Sequence, residues 1–452
     1  CCGYGSDSLF HFETLAVSRG KVMKQLISGF LSFLLCHFAV ADLSPVEKEI
    51  SRFALESKES AISLLEEVVN INSGTMNHAG VRAVSEVFER ELKSLGFQTR
   101  WHDMKEVNRA GHLFAENQGT GRCQLLIGHL DTVFEPDSPF QTFRREGDFA
   151  TGPGVNDMKG GDVVIIYALK ALRDAGVLND KKVIVALIGD EEKSGNPKSI
   201  SRHHLVEAAK RCDIALGFEI AISLSSATVA RRGSSGWYLE VSGKRAHSSG
   251  IFSDSVGSGA IFEAARILNA FHEQLKGETY LSFNPGTILG GTRVDYDPTH
   301  NRGEVFGKTN VVSQNVVVHG GLRTISAQQE KDARARMKAI AESDHLPQTS
   351  ANIRFLNGYP SMPPTEGNLA ILSHLNQLSQ DLGYGEVEAY DPGKRGAADV
   401  SFVANYVDAI DGIGAEGLGA HTPAESIDLS TLTLLIQRAA ILIQRLSEAE
   451  TI

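Results

Sequence analysis

Positive charge is in short supply. The 452 residues carry 44 Lys and Arg against 55 Asp and Glu, a net charge of −11. Nucleic acid and anionic membrane surfaces both require a basic face, so neither is expected as a main partner. The apolar run from Leu26 to Phe38 is too short to span a bilayer comfortably. No internal repeat or low-complexity tract stands out. With 42% hydrophobic and 22% charged residues, the composition is globular rather than disordered or fibrous. Cysteine is also scarce: of five, only Cys123 and Cys212 lie beyond residue 41.

What is present begins with a leader. From Met23, "MKQLISGFLSFLLCHFAVA" has a lysine, an apolar run and Ala39-Val40-Ala41 before Asp42, the layout of a secretory signal peptide. Residues 1–41 are read as an upstream extension plus signal peptide, with translation starting at Met23. A periplasmic or secreted mature protein from about Asp42 is the expectation. Export leaves Cys123 and Cys212 either as two buried thiols or as a disulfide in an oxidising compartment.

The mature part exceeds what one hydrophobic core usually spans, so two domains are expected. Ser44-Pro45 opens an amphipathic helix, and a second runs from about Ala79 to Leu95 and stops at Gly96. Apolar runs at 124–127, 182–188, 213–218 and 407–413 alternate with helical segments at 159–175, 198–210 and 429–447. Short unbroken apolar strands separated by helices describe an α/β fold with a mostly parallel sheet flanked by helices. In such sheets, ligands gather beyond the carboxyl ends of the strands. Between 233 and 357 the texture changes: "GWYLEVSGK" and "NVVVHGGLRT" alternate like half-exposed strands, with helices near 254–274 and 326–342. This predicts a catalytic domain in two parts, 42–232 and 358–452, around an α+β insertion at 233–357.

Several strand ends terminate in metal-ligand residue types. "LLIGHLDTV" carries His129 and Asp131, "GPGVNDMKGG" carries Asp157, "GDEEKSG" carries Glu191 and Glu192, "ALGFE" carries Glu219 and "GAHTPAES" carries His421. Carboxylates at the mouth of a buried strand repel one another and resist desolvation. Two imidazoles and at least three carboxylates at equivalent positions would form a negative cluster that divalent cations neutralise, and this donor mixture suits zinc.

These motifs, in this order over nearly the whole mature chain, resemble the co-catalytic zinc metallopeptidases that include glutamate carboxypeptidase, aminoacylase, acetylornithine deacetylase and succinyl-diaminopimelate desuccinylase. They look closest to bacterial periplasmic or secreted glutamate carboxypeptidases. The resemblance implies a zinc-peptidase-like sheet with an inserted ferredoxin-like lid and dimerisation domain, through which a homodimer forms. It implies two zinc ions per subunit, one on His129 and Glu219 and the other on Glu192 and His421, with Asp157 bridging both and a cis peptide following it. Asp131 would accept a hydrogen bond from His129 and Glu191 would be the general base. Asp190 is read as a helix-capping or solvated residue rather than a ligand. His247 in "GKRAHSSG" would stabilise the oxyanion, while Asn310 and Arg323 would face the substrate, a peptide or N-acyl amino acid.

Two departures stand out. "NGYPSMPP" has Tyr359 where glutamate-cleaving relatives tend to carry arginine, and "GKRGAADVS" has Ala397 and Ala398 before Asp399 where relatives carry glycine and a hydroxyl residue. The identity of the released residue stays open, with Arg231, Arg232 and Arg395 as alternative carboxylate anchors. Two other functions remain in view. An N-acyl-amino-acid deacylase would share every metal residue, whereas a non-catalytic periplasmic binding protein would need no base beside a metal ligand.

Overall fold

The computed structural model describes residues 43–298 and 300–449. The expected leader, Met23–Ala41, lies outside these residues. Among the described residues, no helix is long and apolar enough to cross a membrane.

Helix α1 (Pro45–Glu56) starts at Ser44, whose side chain accepts the Glu47 N–H while the Glu47 carboxylate accepts the Ser44 N–H. It is followed by α2 (Lys58–Val69), α3 (His78–Ser94) and, after the first three strands, α4 (Lys159–Asp174). Those strands are β1 (Gln98–Asp103), β2 (Gly111–Gln118) and β3 (Thr120–His129). Further along come β4 (Lys181–Ile188) and β5 (Ile214–Gly217). With β10 (Asp408–Ile410) they form one six-stranded sheet in the order β1-β2-β4-β3-β5-β10. The four strands from β4 to β10 are mutually parallel, whereas β1 and β2 add an antiparallel edge.

Alternation along these buried strands sorts their side chains into two cores. Leu126, Val183, Val185, Leu187 and Leu216 pack with α1–α4 and the C-terminal helix Leu432–Glu448. Leu125, Ile127, Ile184, Ala186 and Ala215 face the other way, against short helical pieces at 203–209 and 400–403. Both faces are therefore dry, which is why the runs read as unbroken apolar stretches. The segment expected as one helix over 198–210 is broken at Arg202, which leaves helical geometry. Its guanidinium is buried against Asp190 and Asp399. Adjacent pairing of β3 with β5 also brings Cys123 and Cys212 together, and they form a disulfide with Cα atoms 4.5 Å apart.

Residues 233–359 build a second sheet from β6 (Gly233–Gly243), β7 (Ser282–Gly291), β8 (Asn315–Thr324) and β9 (Thr349–Tyr359), in the order β7-β8-β6-β9. All its pairings are antiparallel. Helices α5 (Ala260–Leu275) and α6 (Ala327–Glu342) cover one face through Trp237, Leu239, Val316, Val318, Ile267, Phe271 and Met337. This strand and helix order is the ferredoxin-like one. Gly320 stays small because a Cβ there would overlap the Trp237 ring.

Glu263 ties α5 to the loop before β9, accepting hydrogen bonds from Arg266 and the Leu346 N–H and facing His345. Burial pushes its carboxyl upward, but these partners outweigh burial and hold it at about 2 against an ordinary 4.5. A depressed carboxyl contributes stability above its unfolded value and loses it as pH falls through its folded one. Glu263→Gln is expected to cost on the order of 2 kcal/mol at neutral pH. In denaturant titrations the gap from the parent should close between pH 4.5 and about 2.

Candidate metal centre

The residues expected as metal ligands converge beyond the carboxyl ends of the parallel strands. His129 ends β3, while Glu192 and Glu219 lie just past β4 and β5. Asp157 sits in the loop that opens α4 and is followed by a cis Asp157–Met158 peptide. His421 stands in a turn with φ of 64°, a left-handed conformation rarely held by a non-glycine residue.

Asp157 divides its two oxygens. Oδ1 lies 3.2 Å from His129 Nε2 and Oδ2 lies 3.0 Å from His421 Nε2. Glu219 reaches His129 Nε2 at 3.8 Å, and Glu192 reaches His421 Nε2 at 3.2 Å. Two groups result, His129–Asp157–Glu219 and Asp157–Glu192–His421, each with ligand atoms within 4.8 Å of one another. Glu192 Oε1 is buried with no hydrogen-bond partner, as a ligand oxygen waiting for a cation would be. Imidazole and carboxylate donors in two sets sharing one carboxylate fit a dinuclear site.

The electrostatics show what such a site must offset. Burial, with the charge of Asp157, raises Glu219 to about 7. Burial and the charge of Glu219 push Glu191 well above the usual carboxylate range. Hydrogen bonding to Asp157 and Glu192 raises His421 to about 11. Glu191 belongs to neither ligand group, and no side chain among the described residues donates a hydrogen bond to it. It stands beside the cluster as an unengaged acceptor.

Asp131 accepts from His129 as expected, but through its main chain. His129 Nδ1 lies 3.0 Å from the Asp131 main-chain carbonyl and 3.5 Å from its carboxylate, so the carbonyl is the hydrogen-bond partner. The carboxylate instead accepts the N–H groups of Glu191 (3.0 Å) and Glu192 (3.1 Å) and the Thr75 hydroxyl (2.6 Å). It therefore fixes the turn that carries the base candidate and a ligand. Asp190, expected at a cap or in solvent, is fully buried and paired with Arg202. The fold needs its carboxylate to neutralise that arginine.

Other residues support the site without having been singled out in the sequence. The buried Glu425 carboxylate accepts the N–H groups of Gly154 (3.3 Å), Asn156 (2.9 Å) and Asp157 (3.0 Å), shaping the loop that presents Asp157. Asp411 accepts from Arg231 Nε at 2.6 Å and from the Glu219 N–H at 3.4 Å. That pairing removes Arg231 from the free carboxylate anchors. One available signal was the position of Glu425 in the His421 motif; main-chain partners leave none.

His247, Asn310 and Arg323 lie apart from the ligand cluster, on the second sheet and its loops. His247 is exposed, with Nδ1 2.8 Å from Ser249 Oγ. Its loop adjoins that of Asn310, whose carbonyl accepts the Ser248 N–H at 2.9 Å. Arg323 is exposed on β8, though partial desolvation of its guanidinium and the nearby Arg232 charge lower its pKa. Among the described residues, no hydrogen bond or ion pair joins these three to the metal ligands.

Comparison with known proteins agrees with this geometry. The family described as "Peptidase family M20/M25/M40" matches residues 125–445. Carboxypeptidase G2 of Pseudomonas sp. (strain RS-16) is 27% identical over 409 residues, covering 87% of this chain and 91% of that protein. Aminopeptidase PepT of Bacillus cereus superimposes with a TM-score of 0.66 at 15% identity, covering 86% of this chain and 98% of the other. A dinuclear metal-binding M20 peptidase of Bacillus subtilis gives 0.61 at 15% identity, covering 88% and 99%. At those identities the structural likenesses speak for the fold alone.

Proposed function

The chain belongs to peptidase family M20/M25/M40 and is a metallohydrolase, and we propose that it is an exported dizinc carboxypeptidase removing the C-terminal amino acid of a peptide or N-acyl amino acid. The observation that carries this reading is the pair of ligand sets joined through Asp157, with Glu191 beside them and bound by neither.

His129 and Glu219 would hold one ion, Glu192 and His421 the other, and Asp157 both. When bound, the ions supply Lewis acidity and bring the pKa of water towards neutrality. Glu191 takes the proton of the attacking water and returns it to the departing amine nitrogen. His247, presented from a second copy of the chain, donates to the oxygen on which negative charge develops. Arg323, with Arg232 near it, receives the substrate carboxylate through paired hydrogen bonds.

Support for a homodimer comes from apolar side chains gathered on one part of the second sheet layer. Ile261 and Phe262 at the start of α5, Ile288 on the edge strand β7, and Val305 and Phe306 on the neighbouring hairpin are each about half exposed. Support for export comes from the leader pattern and from the Cys123–Cys212 disulfide, which persists in oxidising compartments.

The test is a hydrolysis panel of dipeptides and N-acyl amino acids that varies the C-terminal residue, run with zinc and after chelation. Substrates with a free C-terminal carboxylate should be cleaved, and their amides should not. Arg323→Ala should lower kcat/KM by about 10- to 100-fold, the worth of a charge-assisted hydrogen bond. Equal cleavage of acids and amides would refute the carboxypeptidase reading.

A further inference from the structure

Among the described residues no side chain hydrogen-bonds to the Glu191 carboxylate, so its direction depends on how its own backbone is held. One side of that backbone is accounted for: the N–H is bound by Asp131 Oδ1 at 3.0 Å. The other side leads away from the ligand cluster. The Glu191 carbonyl accepts the hydroxyl proton of Tyr359 at 2.8 Å. Tyr359 is the last residue of β9, the strand by which the chain leaves the second sheet and returns to the first.

The tyrosine is held from several directions. Its hydroxyl oxygen accepts a hydrogen bond from Arg202 Nη2 at 2.9 Å. Its ring meets Phe402 edge to face with centroids 4.9 Å apart. Arg202 is 1% exposed, with Nε on Asp399 Oδ1 at 2.6 Å, Nη1 on Asp190 Oδ1 and Nη2 also on the Asp190 carbonyl at 3.1 Å. Asp190 further accepts the Gly195 N–H and the Ser201 hydroxyl, each at 2.7 Å. A buried cation shared by two carboxylates cannot shift without leaving a charge unpaired, so the network is rigid. It fixes the phenol, and the phenol fixes the carbonyl.

We infer that Tyr359 is a positioning residue for Glu191, its hydroxyl and Asp131 together clamping the two ends of the residue that carries the base. The inference rests on the assignment of Glu191 as general base. Because the contact runs from the end of β9 to the turn after β4, it also makes the aim of the base depend on how the second sheet is seated.

Tyr359→Phe removes the hydroxyl and keeps the ring against Phe402. Assayed with the fastest N-acyl amino acid of the panel above, it should lower kcat per metal-loaded chain about tenfold. KM should stay within about twofold and metal content should not change, a split that general loosening of the fold does not give. In a Glu191→Gln background the same substitution should cause no further fall, because the group it aims is gone. Phe402→Leu, which disturbs ring packing but keeps the hydroxyl, should retain nearly the parent kcat. An unchanged kcat in Tyr359→Phe, an equal fall in the Glu191→Gln background, or an equal fall in Phe402→Leu would each overturn the inference. Undiminished turnover by Glu191→Gln alone would instead remove the base assignment beneath it.

Discussion

Glu191→Gln is expected to lower kcat by about 10²- to 10⁴-fold while the protein keeps its full metal content. The amide has the size of the carboxylate and leaves both backbone contacts of residue 191, to Asp131 and Tyr359, in place. It removes only the capacity to accept a proton. Glu191 belongs to neither ligand group, so elemental analysis should find the parent's metal in the variant. Glu192→Gln provides the contrast, because that residue belongs to one of the two candidate ligand groups and its loss should deplete one ion along with activity. A Glu191→Gln protein that lost metal would place Glu191 among the ligands. One that turned over normally would leave proton transfer to another group.

The second large effect is expected at Asp157. Its Oδ1 and Oδ2 serve the two ligand groups separately, so Asp157→Ala leaves each with only one imidazole and one carboxylate. Both ions should be lost at micromolar protein concentrations, with activity falling by roughly 10⁴-fold or more as the charge stabilisation they provide disappears. Replacing Glu219, which appears in only one group, should remove one ion and spare the other. The measurement is metal content beside kcat for the two variants. Retention of one tightly held ion by Asp157→Ala would show that the carboxylate does not bridge.

The candidate metal cluster was legible because each of its residues stands where an apolar strand stops, or in a glycine-rich or histidine-bearing loop, and the chain order supplies the rest. The second sheet was legible from the change between unbroken apolar runs and alternating ones. Asp190 was misread for a physical reason. Its partner Arg202 falls within a stretch whose pattern reads as one continuous helix, and nothing in the sequence shows the guanidinium turning inward to break it. Thr75, Glu425 and Asp411 were missed because much of their work is hydrogen bonding within tertiary structure, often to main-chain N–H groups that every residue carries. The disulfide could be posed but not decided until β3 and β5 were seen to be neighbours. His247 is the converse case. Its motif is plain in the sequence, yet among the described residues its imidazole hydrogen-bonds only to Ser249 in its own turn.

The central claim is that two cations held through a shared Asp157 make this chain a hydrolase. Metal stoichiometry of the purified protein, followed together with turnover through chelation and zinc replacement, tests it most directly. The account predicts two ions per chain, loss of turnover on their removal and recovery on their return. Full turnover by protein that carries none would contradict it.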